Sequence, residues 1–248
     1  GIRDQDDIEN KQWVEAKDLK KEDMLLIPRI KGSINNECID TSKYINKKHN
    51  IESGKIRKFP IDVETAFLIG LYVSEGSTTN KNKVISFGLN NKKERFMIER
   101  LGAIFSKFGL KVSPYVKGNT LSVLINNSVL ANFLKDVCGK DSYSKKIPSF
   151  ILFNKDNEIL KSFLDGYTFG DGYFNKKRNV QQMATSSKIL AHQLQMAYAR
   201  LGIFAHVYLY KREAGYHTLQ GIPLPALNIY QIAYSMGRGI IKQKSCIV

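Results

Sequence analysis

Phe67-Leu68-Ile69-Gly70-Leu71-Tyr72-Val73-Ser74-Glu75-Gly76 returns 96 residues later as Phe163-Leu164-Asp165-Gly166-Tyr167-Thr168-Phe169-Gly170-Asp171-Gly172, ten positions aligned without a gap. A repeat at this spacing sets the architecture before any single element is assigned. A short polar loop and strand follow each copy, at 77–89 and 173–185, and then a helix that ends in Phe108-Gly109-Leu110 or Leu201-Gly202-Ile203. Beyond those glycines come strand-like runs, 111–117 with 120–126 and 205–212 with 216–219. Residues 92–107 place Phe96, Ile98, Leu101, Ile104, Phe105 and Phe108 at the spacing of a core-facing helix, and a helix over 128–137 closes the first unit. The expected fold is α+β, with two pseudo-twofold αββαββα half-domains.

Within each copy two small residues stand four apart, Gly70 with Ser74 and Gly166 with Gly170, on one helix face. Glycine inside a helix costs about 1 kcal/mol relative to alanine, which is understandable if the two helices meet there backbone to backbone. Leu68, Leu71, Leu164 and Phe169 would then pack into their own halves. Glu75 and Asp171 each precede a glycine, the usual helix stop, so both acids fall at helix C-termini, where the helix dipole disfavours negative charge. Side-by-side helices would bring the two acids together, and a divalent cation would offset their repulsion. Oxygen ligands of this kind suit Mg²⁺ and the hydrolysis of phosphodiesters.

Composition agrees with an anionic partner. The 248 residues carry 38 Lys and Arg against 23 Asp and Glu, a formal charge of +15. That excess, with a pI near 9.6, points to nucleic acid. The 43% hydrophobic content is enough for a substantial core. No run approaches the ~18 apolar residues of a membrane span, and residues 1–7 lack the apolar stretch of a signal peptide, so a cytoplasmic or nucleoid-associated protein that is not secreted is expected. Cys38, Cys138 and Cys246 form no C-x-x-C pair and read as small buried or partly buried thiols. His49, His192, His206 and His217 show no metal or nuclease spacing; His192 falls on a helix and His206 in a strand.

The paired decapeptides resemble the motifs of LAGLIDADG homing endonucleases, and two motifs about a hundred residues apart are similar to the single-chain, monomeric members. The resemblance covers roughly residues 60–245. Residues 13–28 resemble the part of an intein splicing domain that runs into its endonuclease, and Lys145-Lys146-Ile147-Pro148 resembles a lysine-containing block of intein endonucleases. The expected division is 1–59 as an N-terminal segment and linker, its 30–60 stretch polar and basic, with half-domains at 60–152 and 153–248.

Carried over position by position, the resemblance implies Glu75, Asp171 and Lys146 as catalytic residues and Glu75, Asp171 and Gly170 as metal positions with Mg²⁺. Gly70, Ser74, Gly166 and Gly170 are implied as the helix interface. The first acid is Glu where the family more often has Asp, and Thr168-Phe169-Gly170 departs from the usual pattern, leaving Asp165 inside the second motif. A second-half counterpart of Lys146 would be Lys242 or Lys244. The family fold further implies antiparallel sheets forming a saddle over duplex DNA. Lys81, Lys83, Ser86, Tyr115 and Lys117 would make contacts from the first half, and Lys177, Arg178, Gln182, Thr185, Tyr208, Tyr210 and Arg212 from the second. The implied activity is site-specific, metal-dependent cleavage of both strands of a long asymmetric DNA target by a monomer, without a protein partner or a membrane. The alternative is a DNA- or RNA-binding protein, a maturase or regulator, that keeps the scaffold without cleavage.

Overall fold

The structure, a computed structural model, describes residues 13–21, 30–45, 56–79, 81–215, 218–219, 222–223 and 226–236. The first motif forms α1 (Val63–Glu75). Asp62 accepts a hydrogen bond from the Thr65 backbone N–H at 2.8 Å while Thr65 Oγ1 accepts one from the Asp62 N–H at 3.0 Å, which satisfies two backbone donors that a helix start leaves orphaned. After it come β3 (Gly76–Thr79), β4 (Val84–Asn90), α2 (Met97–Ser106), β5 (Ser113–Lys117), β6 (Thr120–Asn126) and α3 (Ser128–Cys138); two earlier strands, β1 (Cys38–Asp40) and β2 (Lys58–Pro60), precede α1. A single helical turn, α4 (Ser149–Leu152), leads into the second motif helix, α5 (Asn157–Asp171). The second unit continues with β7 (Gly172–Asn175), β8 (Val180–Thr185), α6 (Lys188–Arg200), β9 (His206–Arg212), the short strands β10 (Thr218–Leu219) and β11 (Ile222–Pro223), and β12 (Leu227–Ser235).

Each unit builds one antiparallel four-stranded sheet, ordered β3-β4-β6-β5 and β7-β8-β12-β9. The repeat holds at the level of register: Gly76 pairs with Phe87, and 96 residues on Gly172 pairs with Met183. Alternation along the strands fixes which face is buried. Ile85, Phe87, Leu89, Leu121, Val123 and Ile125 turn inward against the helices, as do Met183 and Ile232 in the second sheet. Because α1 and α5 pack along each other at the centre, the two sheets flank one helix pair and their other faces stay polar.

Three regions differ from the sequence expectation. The helix expected from residue 92 begins at Met97, because Asn90 Oδ1 accepts from the N–H groups of Lys92 and Lys93 and holds a turn there. Phe96 therefore stays 58% exposed and rests edge-on against Phe169 of the other half, at 5.9 Å between ring centres. In the second unit the long inner strand is β12 and not 216–219, so the connection after β9 is much longer than the turn between β5 and β6. Of the stretch 30–60, read as a linker, the described residues 30–45 and 56–60 contribute structure: β1 pairs with β2, and Phe59 is buried, stacking on Phe108 and packing on Phe133. Residues beyond Met236, including Lys242, Lys244 and Cys246, lie outside the described part, as do His49 and His217. Cys138 is buried and Cys38 exposed.

Candidate active site at the ends of the motif helices

The helix crossing depends on missing side chains. A methyl group built on Gly70 would land on the Phe163 carbonyl oxygen and 2.8 Å from the Tyr167 nitrogen. Its repeat partner Gly166 meets the Phe67 carbonyl oxygen in the same way, with the Leu71 nitrogen at 3.0 Å. The contacts are reciprocal under the 96-residue repeat, as a twofold interface requires. One turn further, Gly170 lies against the Ser74 hydroxyl, and a methyl there would stand 2.7 Å from Glu75 Cγ. Any side chain at position 170 would push Glu75 away from the helix that carries Asp171.

Glu75 and Asp171 are the last residues of α1 and α5. The glycines after them do not use the left-handed conformation expected of a helix stop: Gly76 has φ −91° and Gly172 φ −83°. They are required for room, since a methyl on Gly76 would stand 2.6 Å from the Tyr72 carbonyl oxygen and one on Gly172 2.6 Å from Thr168 Cγ2. The chain can thus leave each helix directly into the first strand of its sheet.

The electrostatics of the pair are unfavourable without a cation. Burial, then the Asp171 and Glu94 carboxylates, push Glu75 up to about 7. Asp171, an exposed residue as a whole, rises to about 6 through desolvation of its carboxyl; Tyr167 and Lys145 act in the opposite sense. The Tyr167 hydroxyl is fully enclosed beside Asp171 and stands outside ordinary hydrogen-bond geometry.

Of the two adjacent lysines, Lys145 is the one at the acids. It is 9% exposed, and its ammonium donates to the Tyr72 carbonyl at 2.8 Å and the Gly76 carbonyl at 2.9 Å, above the Tyr72 ring at 4.1 Å. Burial pulls its pKa down to about 8, while Cys138 and Asp171 hold it up. Its backbone is clamped by the second half: Ser187 Oγ donates to the Lys145 carbonyl at 2.7 Å, and the Ile147 N–H donates to Gln193 Oε1 at 2.7 Å. Lys146, the residue implied by the motif, points instead into a groove with Lys43, Lys135 and Lys140. The two neighbouring side chains thus leave the backbone toward different partners, the buried Lys145 toward the helix ends and the half-buried Lys146 toward the groove.

The outer faces of the sheets carry most of the expected DNA contacts. Ser86, Tyr115 and Lys117 share the outer face of the first sheet, and Lys81 and Lys83 sit at the β3–β4 turn, where Lys81 and Asn82 have φ 54° and 61°. In the second sheet Gln182, Tyr208, Tyr210 and Arg212 share the outer face, with Lys177 and Arg178 at the β7–β8 turn. Thr185 does not. It lies on the same face as buried Met183, and its hydroxyl accepts the Ser187 N–H at 3.1 Å, serving the start of α6. Two outer-face residues escaped the sequence reading. Tyr173 is 63% exposed and pairs with Gln182, and Gln231 pairs with Tyr208. Tyr173 was findable as the second residue after the motif acid; Gln231 was hidden because its strand was expected elsewhere.

Among the described residues no group of three or more acidic, His or Cys side chains stands ready for a metal. Two carboxylates are nevertheless a sufficient protein contribution for Mg²⁺, which keeps waters and takes substrate phosphate oxygens. The raised pKa values and the carbonyl-rich helix ends fit a divalent cation there.

A pair of motif helices carrying one acid each at the foot of two outward-facing sheets defines the LAGLIDADG class. The LAGLIDADG-like domain family matches residues 62–138 and 158–235, and this chain belongs to that family. It is 29% identical over 239 residues to the ATP-dependent DNA helicase Hel308 of Thermococcus kodakarensis, covering 84% of this chain and 21% of the relative. It is 28% identical over 185 residues to the DNA-directed RNA polymerase subunit Rpo1C of Methanocaldococcus jannaschii, covering 68% and 21%. The chain thus spans about a fifth of the curated relatives it matches. Among solved structures, variants of the homing endonuclease I-DmoI share the fold with TM-score 0.51 at 12% identity, over 73% of this chain and 92% of that one. I-DmoI in complex with DNA and Ca matches with TM-score 0.51 at 12% identity, over 73% and 86%.

Proposed function

We propose that the protein is a divalent-metal-dependent endonuclease that cleaves both strands of a specific DNA duplex, acting as a monomer because one chain supplies both acids. The observation that carries this reading is the meeting of Glu75 and Asp171, from two copies of one motif, at helix ends where burial raises both pKa values and the Asp171 carboxylate adds repulsion at Glu75. The homing endonuclease activity of I-DmoI and its complex with DNA and Ca support the reading at the level of fold. That the matched segment forms about a fifth of a helicase and of a polymerase subunit supports an element carried inside unrelated host proteins, as inteins are. Mass measurement of such a longer chain before and after incubation would detect its excision.

Divalent cations held by Glu75 and Asp171, with Mg²⁺ the expected ion, would activate water and stabilise the charge that develops on the phosphate. Gly170 admits Glu75 to the shared site by having no side chain. Lys145 fixes the ends of α1 and β3 and sets a positive charge beside the acids. The outer faces, with Ser86, Tyr115 and Lys117 on one side and Gln182, Tyr208, Tyr210 and Arg212 on the other, would seat the duplex across the site. The direct test is cleavage of a plasmid library with Mg²⁺, with Ca²⁺ and with EDTA, followed by sequencing of the ends. Defined double-strand ends with Mg²⁺ alone are expected; selective binding without cutting would instead establish a regulator on the same scaffold.

Lys145→Met is expected to lower the cleavage rate at least tenfold, whereas Lys146→Met is expected to weaken DNA binding more than turnover. Single-turnover rates and binding in Ca²⁺ separate the two effects.

The metal-free protein should lose stability as pH rises from about 4.5 to 7. Both carboxylates have folded-state pKa values above their ordinary ones, so the folded state holds more protons than the unfolded chain in that window, and stability falls with pH. Mg²⁺ should raise the melting temperature more at pH 8 than at pH 5.5, since protons compete for the same oxygens. Thermal melts with EDTA and with Mg²⁺ at the two pH values check both statements.

A further inference from the structure

Lys146 enters a second site. It lines an open groove of about 680 Å³ with Lys43, Tyr44, Asn82, Asn132, Lys135, Asp136 and Lys140, built from four separate parts of the first half. These are the segment before β2, the β3–β4 turn, α3 and the loop after it. Four lysines face one carboxylate, and that carboxylate is already engaged: Asp136 accepts from Lys43 at 3.1 Å and from the Tyr44 hydroxyl at 2.5 Å. Asp141, at the rim, is turned into its own loop, where Ser144 donates to it through both Oγ and N. Lys135 donates to the neutral Asn82 side chain at 2.9 Å. Lys140 and Lys146 form no ion pair among the described residues. The groove therefore presents uncompensated positive charge, which attracts a polyanion.

Its position identifies which polyanion. Asn82 belongs both to the groove and to the turn that carries Lys81 and Lys83 at the end of the first sheet. Thr78, in the first strand of that sheet, is tied to the same Asn82 side chain at 3.2 Å. A basic path thus runs from the first sheet around the hairpin tip to Lys135, Lys140 and Lys146. The β7–β8 turn of the second half also carries basic residues, Lys177 and Arg178.

We propose that this groove binds the sugar-phosphate backbone of duplex DNA beyond the first sheet, so that the first half of the protein holds duplex past the edge of its own sheet. The inference rests on the DNA reading above. The contact would be to phosphates, independent of base sequence, and visible in the salt dependence of binding, whose log–log slope changes by about 0.9 for each phosphate neutralised.

The test uses a random-sequence 40-base-pair duplex in Ca²⁺ and three proteins: the wild type, a groove variant (Lys135→Gln, Lys140→Gln, Lys146→Gln) and a control of equal charge change (Lys92→Gln, Lys93→Gln, Lys188→Gln). Circular dichroism confirms that each variant is folded. The groove variant is expected to lose at least 2 from the magnitude of the salt slope, the control less than 1, following the ~0.9 per phosphate rule. A duplex shortened to about 20 base pairs should narrow the difference between wild type and groove variant. Equal slopes for groove variant and control would overturn the groove and leave the endonuclease reading intact. A wild type without salt-dependent duplex binding would instead remove the DNA reading on which the groove depends.

Discussion

Gly166→Ala is expected to destabilise the protein by about 2–4 kcal/mol, although alanine is the better helix former by about 1 kcal/mol. The sign turns on what the new methyl meets. In a free helix the substitution only removes backbone entropy, but here the methyl lands on the Phe67 carbonyl oxygen, and no flexible side chain can move aside. Relief requires α1 and α5 to separate, which opens the largest buried contact between the halves and moves Glu75 away from Asp171. Gly70→Ala should behave alike, since its methyl meets the Phe163 carbonyl oxygen. Gly102→Ala in α2 is the matched control. There the nearest atom is Val112 Cγ2 at 3.8 Å, ordinary contact, so the propensity gain of about 1 kcal/mol should appear as stabilisation. Urea denaturation of the three variants decides the matter, and a stabilised Gly166→Ala would mean that the helices do not touch as described.

Replacing both acids, Glu75→Gln with Asp171→Asn, is expected to lower cleavage about a thousandfold or more, a loss of several kcal/mol in charge stabilisation. Duplex binding in Ca²⁺ should change far less, because the proposed DNA contacts lie on the outer faces of the sheets. The neutral amides also remove the cost of burying two charges, and at Glu75 the repulsion from Asp171, which raise the pKa values, so the metal-free double variant should be more stable than the wild type at pH 8. Loss of activity paired with a gain in stability would distinguish a functional role from a structural one. Each single variant should convert double-strand cutting into nicking, and plasmid topology on a gel reads this directly. Full double-strand cutting by the double variant would show that the acids are not the catalytic pair.

The outcome at five residues shows what kind of information a sequence holds. Glu75 and Asp171 were legible because repetition marks them: a turn-forming Asp-Gly is common, but the same acid-glycine step at matched places in two copies is not. Thr185 was misread because alternation along a strand is a parity, and one residue reverses the assignment; only the register with Met183 and the bond to Ser187 settle it. Lys145 and Lys146 are indistinguishable as letters. Their roles separate only when Ser187 and Gln193 of the other half pin the segment and turn one ammonium toward the ends of α1.

The sequence by itself determined the twofold plan, the helix interface and the two acids, because each is a local pattern repeated 96 residues apart, and the basic charge, because that is a sum over composition. Tertiary structure alone decided which lysine reaches the acids, that Phe59 before α1 joins the core, and that Lys43 shares one groove with Lys135, Lys140 and Lys146. Those facts depend on which surfaces meet after the chain has folded. Periodicity and propensity act over a few neighbouring residues, whereas burial and charge neighbourhoods are set by segments 42 to 93 residues away.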